Sequence, residues 1–85
     1  MMLLPSGVSV SAVTRLSVDV ADRPGILLRV LGVCQRRGAR VLAMTYGSAG
    51  EHARIELAVS ADERHVQLLH GRLAALIDVH GVAIR

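Results

Sequence analysis

Leu16-Ser17-Val18-Asp19-Val20-Ala21-Asp22-Arg23-Pro24-Gly25-Ile26-Leu27 is the stretch from which the rest of the chain can be read. Leu16, Val18 and Val20 alternate with Arg15, Ser17 and Asp19, the period-2 pattern of a strand with one buried face. Asp22-Arg23-Pro24-Gly25 breaks that pattern. Pro24 suits the first turn of a helix, where its missing N–H costs nothing. From about Pro24 to Arg37, Leu27, Val30, Leu31 and Cys34 recur at helical spacing. Arg36 and Arg37 close the last turn, where cations complement the helix dipole, and Gly38 follows as a stop.

Outward from this strand–turn–helix unit, Arg40 to Tyr46 reads as a second strand with Leu42, Met44 and Tyr46 on one side. Gly47-Ser48-Ala49-Gly50 reads as a turn. Ala53, Ile55, Leu57 and Val59 alternate with Arg54, Glu56 and Ala58, so a third strand is joined to the second as a hairpin. Ser60-Ala61-Asp62-Glu63 fits a capping box, Ser first and Glu three residues on. The helix it opens carries Val66, Leu69, Leu73, Leu76 and Ile77 on one face. Gly32 and Gly71 interrupt the two helices at about 1 kcal/mol each relative to alanine, and close approach of the helices would explain them. Val79, Val82 and Ile84 form a last short strand. The order β-α-β-β-α-β with right-handed crossovers predicts an α+β, ferredoxin-like sandwich: a four-stranded antiparallel sheet with both helices on one face. The opposite face carries Arg15, Ser17, Asp19, Arg54 and Glu56 and is polar. Residues 1–11, with Pro, Gly and Ser and no period, read as an arm, and residues 12–85 as one domain.

Composition limits what such a domain does. The chain has 85 residues and is 52% hydrophobic, too apolar for disorder. One Tyr and no Phe or Trp leave an aliphatic core and little for base stacking, which argues against an RNA-recognition motif. All ten basic residues are arginines, against seven acidic residues, for a formal charge of +3. They are spread from Arg15 to Arg85 rather than massed in a stripe, so no nucleic-acid partner is expected. The lone Cys34 sits mid-helix on an apolar face, a core position, and excludes both an internal disulfide and a paired-thiol metal site. His65 and His70 are five apart on one helix and diverge; His52 and His80 stand by a turn and the last strand. No metal, cofactor or catalytic residue is expected. Met1-Met2-Leu3-Leu4-Pro5 has no basic region and too short an apolar run to read as a secretory leader, and no apolar stretch is long enough to span a bilayer, so a soluble, cytoplasmic protein without a membrane partner is expected.

Asp22-Arg23-Pro24-Gly25-Ile26-Leu27, lying between first strand and first helix, resembles the first-loop motif of the ACT domain family. Arg36-Arg37-Gly38-Ala39-Arg40-Val41 is similar to the family's passage from helix into second strand. Ile55-Glu56-Leu57-Ala58-Val59 and the closing Leu76-Ile77-Asp78-Val79-His80-Gly81-Val82-Ala83-Ile84 resemble, more narrowly, the short single-ACT small (regulatory) subunit of acetolactate synthase. The resemblance implies a homodimer that is not itself an enzyme and that activates a large catalytic subunit holding the thiamine chemistry. It also implies an amino-acid effector (valine, leucine or isoleucine) at the first loop. Physically, Gly25 lets a ligand approach the backbone. The N–H groups of Gly25, Ile26 and Leu27 suit a carboxylate, Asp22 suits an ammonium, and Ile26 or Leu27 could line an aliphatic pocket. Arg23 and Pro24 complete the loop. By resemblance, Arg40 and Val41 would join the site from a neighbouring subunit. Branched-chain-sensitive small subunits usually carry Asn where this chain has Asp22. Read without the resemblance, Asp22 before Pro-Gly is also an ordinary helix cap.

Overall fold

The computed structural model describes residues 13–85; the arm expected over residues 1–11 lies outside them. Along the chain come β1 (Val13–Ala21), α1 (Ile26–Arg36), β2 (Arg40–Ala49), β3 (His52–Ser60), α2 (Glu63–Ala74) and β4 (Val79–Ile84). The strands form one sheet in the order β2-β3-β1-β4, with every neighbouring pair antiparallel. This is the predicted βαββαβ sandwich.

Strand alternation places the core. Leu16, Val18 and Val20 of β1 and Ala53, Ile55, Leu57 and Val59 of β3 are buried. They share one cluster with Ile26, Val30, Val33 and Cys34 of α1 and Leu69 and Leu73 of α2, so both helices cover the same sheet face. Each fully buried Leu, Ile or Val contributes about 1.5–3 kcal/mol by leaving water. On the opposite face, Ser17 is buried but satisfied, donating to Glu56 at 3.0 Å. Two residues along on the same face, the cross-strand partners Asp19 and Arg54 pair at 2.9 Å.

Several local readings change. β2 runs on to Ala49, and the hairpin turns on two residues, Gly50-Glu51, with Gly50 at φ 69°. The expected turn over residues 47–50 is thus mostly strand, because a two-residue loop whose first residue has positive φ matches the strand twist. The register of β2 against β3 shifts between Val41 and Ala43. Leu42 is the extra residue of this bulge and is 49% exposed. Val41 takes the core-facing place with Met44, whereas the sequence reading paired Leu42 with Met44.

The cap of α2 is Asp62, not Ser60: its carboxylate accepts from the His65 N–H at 2.8 Å. Ser60 still belongs to β3, paired with Val13. α2 ends at Ala74, so Ile77 leaves the helix face and is 78% exposed. The suggested close approach at Gly32 and Gly71 is not seen. A Cβ at Gly71 would meet nothing within 4 Å, and one at Gly32 would meet only the tip of Arg36 at 3.4 Å.

Candidate functional site

The first loop leaves β1 at Ala21 and is fixed from three sides. The Ala21 N–H donates to the Asp78 carbonyl (2.8 Å), and the Asp22 N–H to the Glu51 carbonyl (2.9 Å). Within the loop, Arg23 N–H bonds Ala21 O at 2.9 Å, and Ile26 N–H bonds Arg23 O at 3.2 Å. Gly25 is the N-cap of α1, at φ 81° and without a side-chain cap. That left-handed conformation is what a glycine supplies most easily. Helix α1 therefore starts at Ile26, after Pro24 rather than on it.

Asp22 does not cap α1. Its carboxylate accepts from the Tyr46 hydroxyl and, at 2.5 Å, from Ser48 Oγ. Tyr46 and Ser48 pair across β2 and β3 with Ile55 and Ala53, both core residues, so they lie on the helix side of the sheet. The Ser48 and Tyr46 donors stabilise the ionised form and hold the Asp22 carboxyl below its ordinary range. The same bond pushes the Tyr46 phenol up.

Arg23 is held differently. Its Nε lies 3.1 Å from one oxygen of Asp78, and Arg29 Nη2 of α1 lies 3.1 Å from the other. A single carboxylate from the α2–β4 connection thus bridges the loop and the helix it starts. Asp78 itself is at φ 76°, the one non-glycine with positive φ among the described residues.

Between these supports lies an open cleft of about 490 Å³, lined by Ala21, Asp22, Arg23, Gly50, Glu51, His52 and His80. The hairpin turn brings Glu51 and His52 to it. His80 comes from a register shift of β4 against β1 between Asp19 and Val20. The His52 and His80 rings meet edge to face with centroids 5.6 Å apart. The cleft offers two carboxylates, a guanidinium and two imidazoles, groups suited to a small zwitterion rather than an apolar ligand.

The predicted site residues separate into groups. Asp22 and Arg23 line the cleft, and Pro24 and Gly25 form the exposed turn beside it. Ile26 is in the core and Leu27 packs against it; the Ile26 N–H is already bonded within the turn. Arg40 and Val41 pair with Ser60 and Val59, while the cleft lies at the His52 end of β3. Seven residue steps from Val59 to His52 put them roughly 23 Å away. They are not part of the cleft within one chain. No sequence signal groups Tyr46, Ser48, Asp78, Glu51, His52 and His80 with the loop, because each lies remote from it in sequence.

A family model for the ACT domain matches residues 22–82. The chain belongs to the ACT domain family. Among curated proteins, this ACT chain is 33% identical over 66 residues to the acetolactate synthase small subunit of Mycobacterium bovis and to a putative acetolactate synthase small subunit of Mycobacterium tuberculosis. These alignments cover 75% of this chain and 39% of the relatives, so the ACT chain spans about two fifths of their length. In fold, it is similar to the acetolactate synthase small subunit from Thermotoga maritima (TM-score 0.76, 22% identity, 85% of this chain and 46% of that one). It is equally similar to the ACT domain from GTP pyrophosphokinase of Chlorobium tepidum (TM-score 0.75, 12% identity, 86% and 96%). No helix of the described residues is long and apolar enough to cross a membrane.

Proposed function

We propose that this ACT chain is a regulatory, non-catalytic subunit of acetolactate synthase (acetohydroxyacid synthase) in branched-chain amino-acid biosynthesis. It joins a large catalytic subunit, raises its activity, and receives an amino-acid effector at the first loop. The observation that carries the reading is the first-loop cleft on Asp22 and Arg23, in a chain 33% identical to acetolactate synthase small subunits over 66 residues.

The chemistry of the cleft supports an amino acid. An ionised carboxylate has about four acceptor sites, and two hydroxyls leave room on Asp22 for an ammonium. The Gly25 and Leu27 N–H groups at the start of α1 suit a carboxylate. A second copy would complete the site: β2 and β4 are both open sheet edges, and Arg40 and Val41, remote within one chain, would come from the neighbour. Mixing the purified chain with its large subunit is expected to raise the synthase rate, and valine, leucine or isoleucine to modulate it. No copurification and no change in rate would refute the reading.

A second reading, a stand-alone ACT amino-acid sensor for another enzyme, draws on Asp22, whose negative charge stands where branched-chain-sensitive small subunits usually carry Asn. Calorimetric titration with a panel of amino acids separates the two: binding confined to other side-chain classes favours this second reading.

A further inference from the structure

Arg36 and Arg37 at the carboxyl end of α1 and Arg72, Ala75 and Leu76 at the carboxyl end of α2 line a second open cleft of about 320 Å³, which shares no lining residue with the first-loop cleft. Its rim is Arg36, Arg37 and Arg72, and Val33, Ala75 and Leu76 form its apolar lining. This volume is at the small end of the about 300–1,000 Å³ typical of ligand sites.

These three cations have no acidic partner. All seven acidic residues of the chain lie at or beyond Asp19, within the described region. Asp19 is paired with Arg54, and Asp78 with Arg23 and Arg29. Asp22 accepts from Tyr46 and Ser48, Glu56 from Ser17, and Asp62 from His65. Glu51 is in the hairpin turn and lines the first-loop cleft instead. Glu63 opens α2, nine residues before Arg72 and about 13 Å from it along the axis.

Dipole compensation accounts for one cation at each helix end but not for the third. Nor are the guanidinium groups needed as caps. The last carbonyls of α1 are taken by backbone: Arg37 N–H to Val33 O, Gly38 N–H to Gln35 O and Ala39 N–H to Cys34 O. In α2, the Ala75 and Leu76 N–H groups serve Gly71 O and Leu73 O. Three like charges around one concavity repel each other, and an anion seated among them removes that cost. The planar, forked donors of arginine match phosphate oxygens in pairs.

We propose that the Arg36–Arg37–Arg72 cleft is a second ligand site, for a small phosphate-bearing anion, independent of the amino-acid cleft at the first loop. The test is calorimetric titration of the full chain with inorganic phosphate and pyrophosphate, at ionic strength matched with sodium chloride. Saturable binding is expected, tighter for pyrophosphate, and weakened about tenfold or more by Arg72→Gln or Arg37→Gln, the size expected for loss of one charge-assisted contact. Arg72→Lys should bind at an intermediate level. Arg64→Gln, on α2 outside the cleft, should bind as the parent does. These side chains make no hydrogen bond among the described residues, and Gln keeps helix propensity; circular dichroism and the melting temperature verify each fold. No saturable binding above the chloride control, or equal weakening by Arg64→Gln, overturns the proposal. So does binding of a poly-glutamate peptide with none of pyrophosphate, which would make the cleft a docking surface for an acidic partner segment.

Discussion

The Tyr46 hydroxyl donates a hydrogen bond to the Asp22 carboxylate, joining strand β2 to the first loop across 24 positions of sequence. With Ser48 it turns Asp22 away from the helix start and makes the loop depend on the hairpin. The first loop and the placement of β2, an edge strand, are therefore mechanically connected.

This link has a direct spectroscopic readout, because Tyr46 is the only tyrosine in the chain. Its phenol is pushed up, first by the bond to Asp22, then by burial and by the Asp22 charge. Titration followed by phenolate absorbance should give a midpoint above the ordinary value of about 10. Asp22→Asn should lower that midpoint, since the acceptor loses its charge. Coincident titrations of the two proteins would show that the bond does not form in solution.

The same bonds give acid sensitivity. Asp22 is lowered by Ser48 and Tyr46, and Asp62 by the His65 backbone N–H and ring. A carboxyl with a lower pKa folded than unfolded adds stability that is complete above the unfolded value, about 3.9. That stability is lost as pH falls through the folded value. Urea midpoints should thus drop as pH is taken from 5 towards 2, and Asp22→Asn should flatten that drop. A variant profile parallel to the parent throughout would count against the Asp22 contribution.

Gly71 and Gly32 are the cheapest places to stabilise the domain. Neither has a positive φ, and a Cβ at Gly71 meets nothing within 4 Å, while at Gly32 it meets only the flexible end of Arg36. Gly71→Ala should raise stability by about 0.5–1 kcal/mol, which in a domain of this size is a rise of roughly 2–8 °C in Tm. Gly32→Ala should do the same less the cost of moving Arg36. A fall in Tm for Gly71→Ala would mean that the helix face is covered by something outside the single chain.

The fold was legible because each element carries its own period: Leu16-Val18-Val20 and Ile55-Leu57-Val59 at two residues, Val30-Cys34 and Val66-Leu69-Leu73 at helical spacing. What was illegible depended on one-residue offsets or long-range partners. The bulge at Leu42 reverses the parity of β2, and no local signal in an alternating aliphatic run marks the extra residue. Ser60 and Asp62 are both good caps, and the choice fell to Asp62 because Ser60 was already paired in the sheet. At the site, the loop motif identified Asp22 and Arg23. The partners Tyr46, Ser48 and Asp78 come from β2 and from the α2–β4 connection, and only the sheet order brings them in.

Asp78 joins an unfavourable backbone to a favourable side chain. At φ 76° it is in a region that costs most residues about 1–2 kcal/mol, less for Asp and Asn, and its carboxylate reaches Arg23 and Arg29 at 3.1 Å each. Asp78→Gly should keep the turn and lose the bridge; Asp78→Ala should lose both. The alanine variant should be less stable than the glycine variant by about 1 kcal/mol, read from urea midpoints. Both should loosen the Arg23 end of the cleft and weaken amino-acid binding there, and equal affinity in both variants and the parent would free the cleft from any dependence on Asp78.

Leu69 and Ile77 occupy equivalent places in the helical pattern read from sequence, and the structure separates them. Leu69 is fully buried in the shared core, whereas Ile77 lies beyond the end of α2 and is 78% exposed. A buried Leu→Ala change costs about 2–5 kcal/mol. A domain of this length has roughly 4–13 kcal/mol in total at about 0.05–0.15 kcal/mol per residue. Leu69→Ala should therefore remove a large part of the stability and leave a measurable unfolded fraction at moderate temperature. Ile77→Ala, with little burial to lose, should shift stability by no more than about 0.5 kcal/mol in the isolated chain. If Ile77→Ala proved as costly as Leu69→Ala at micromolar concentration, and the cost fell on dilution, Ile77 would be buried between two copies of the chain. Concentration-dependent melting of the two variants decides between these outcomes.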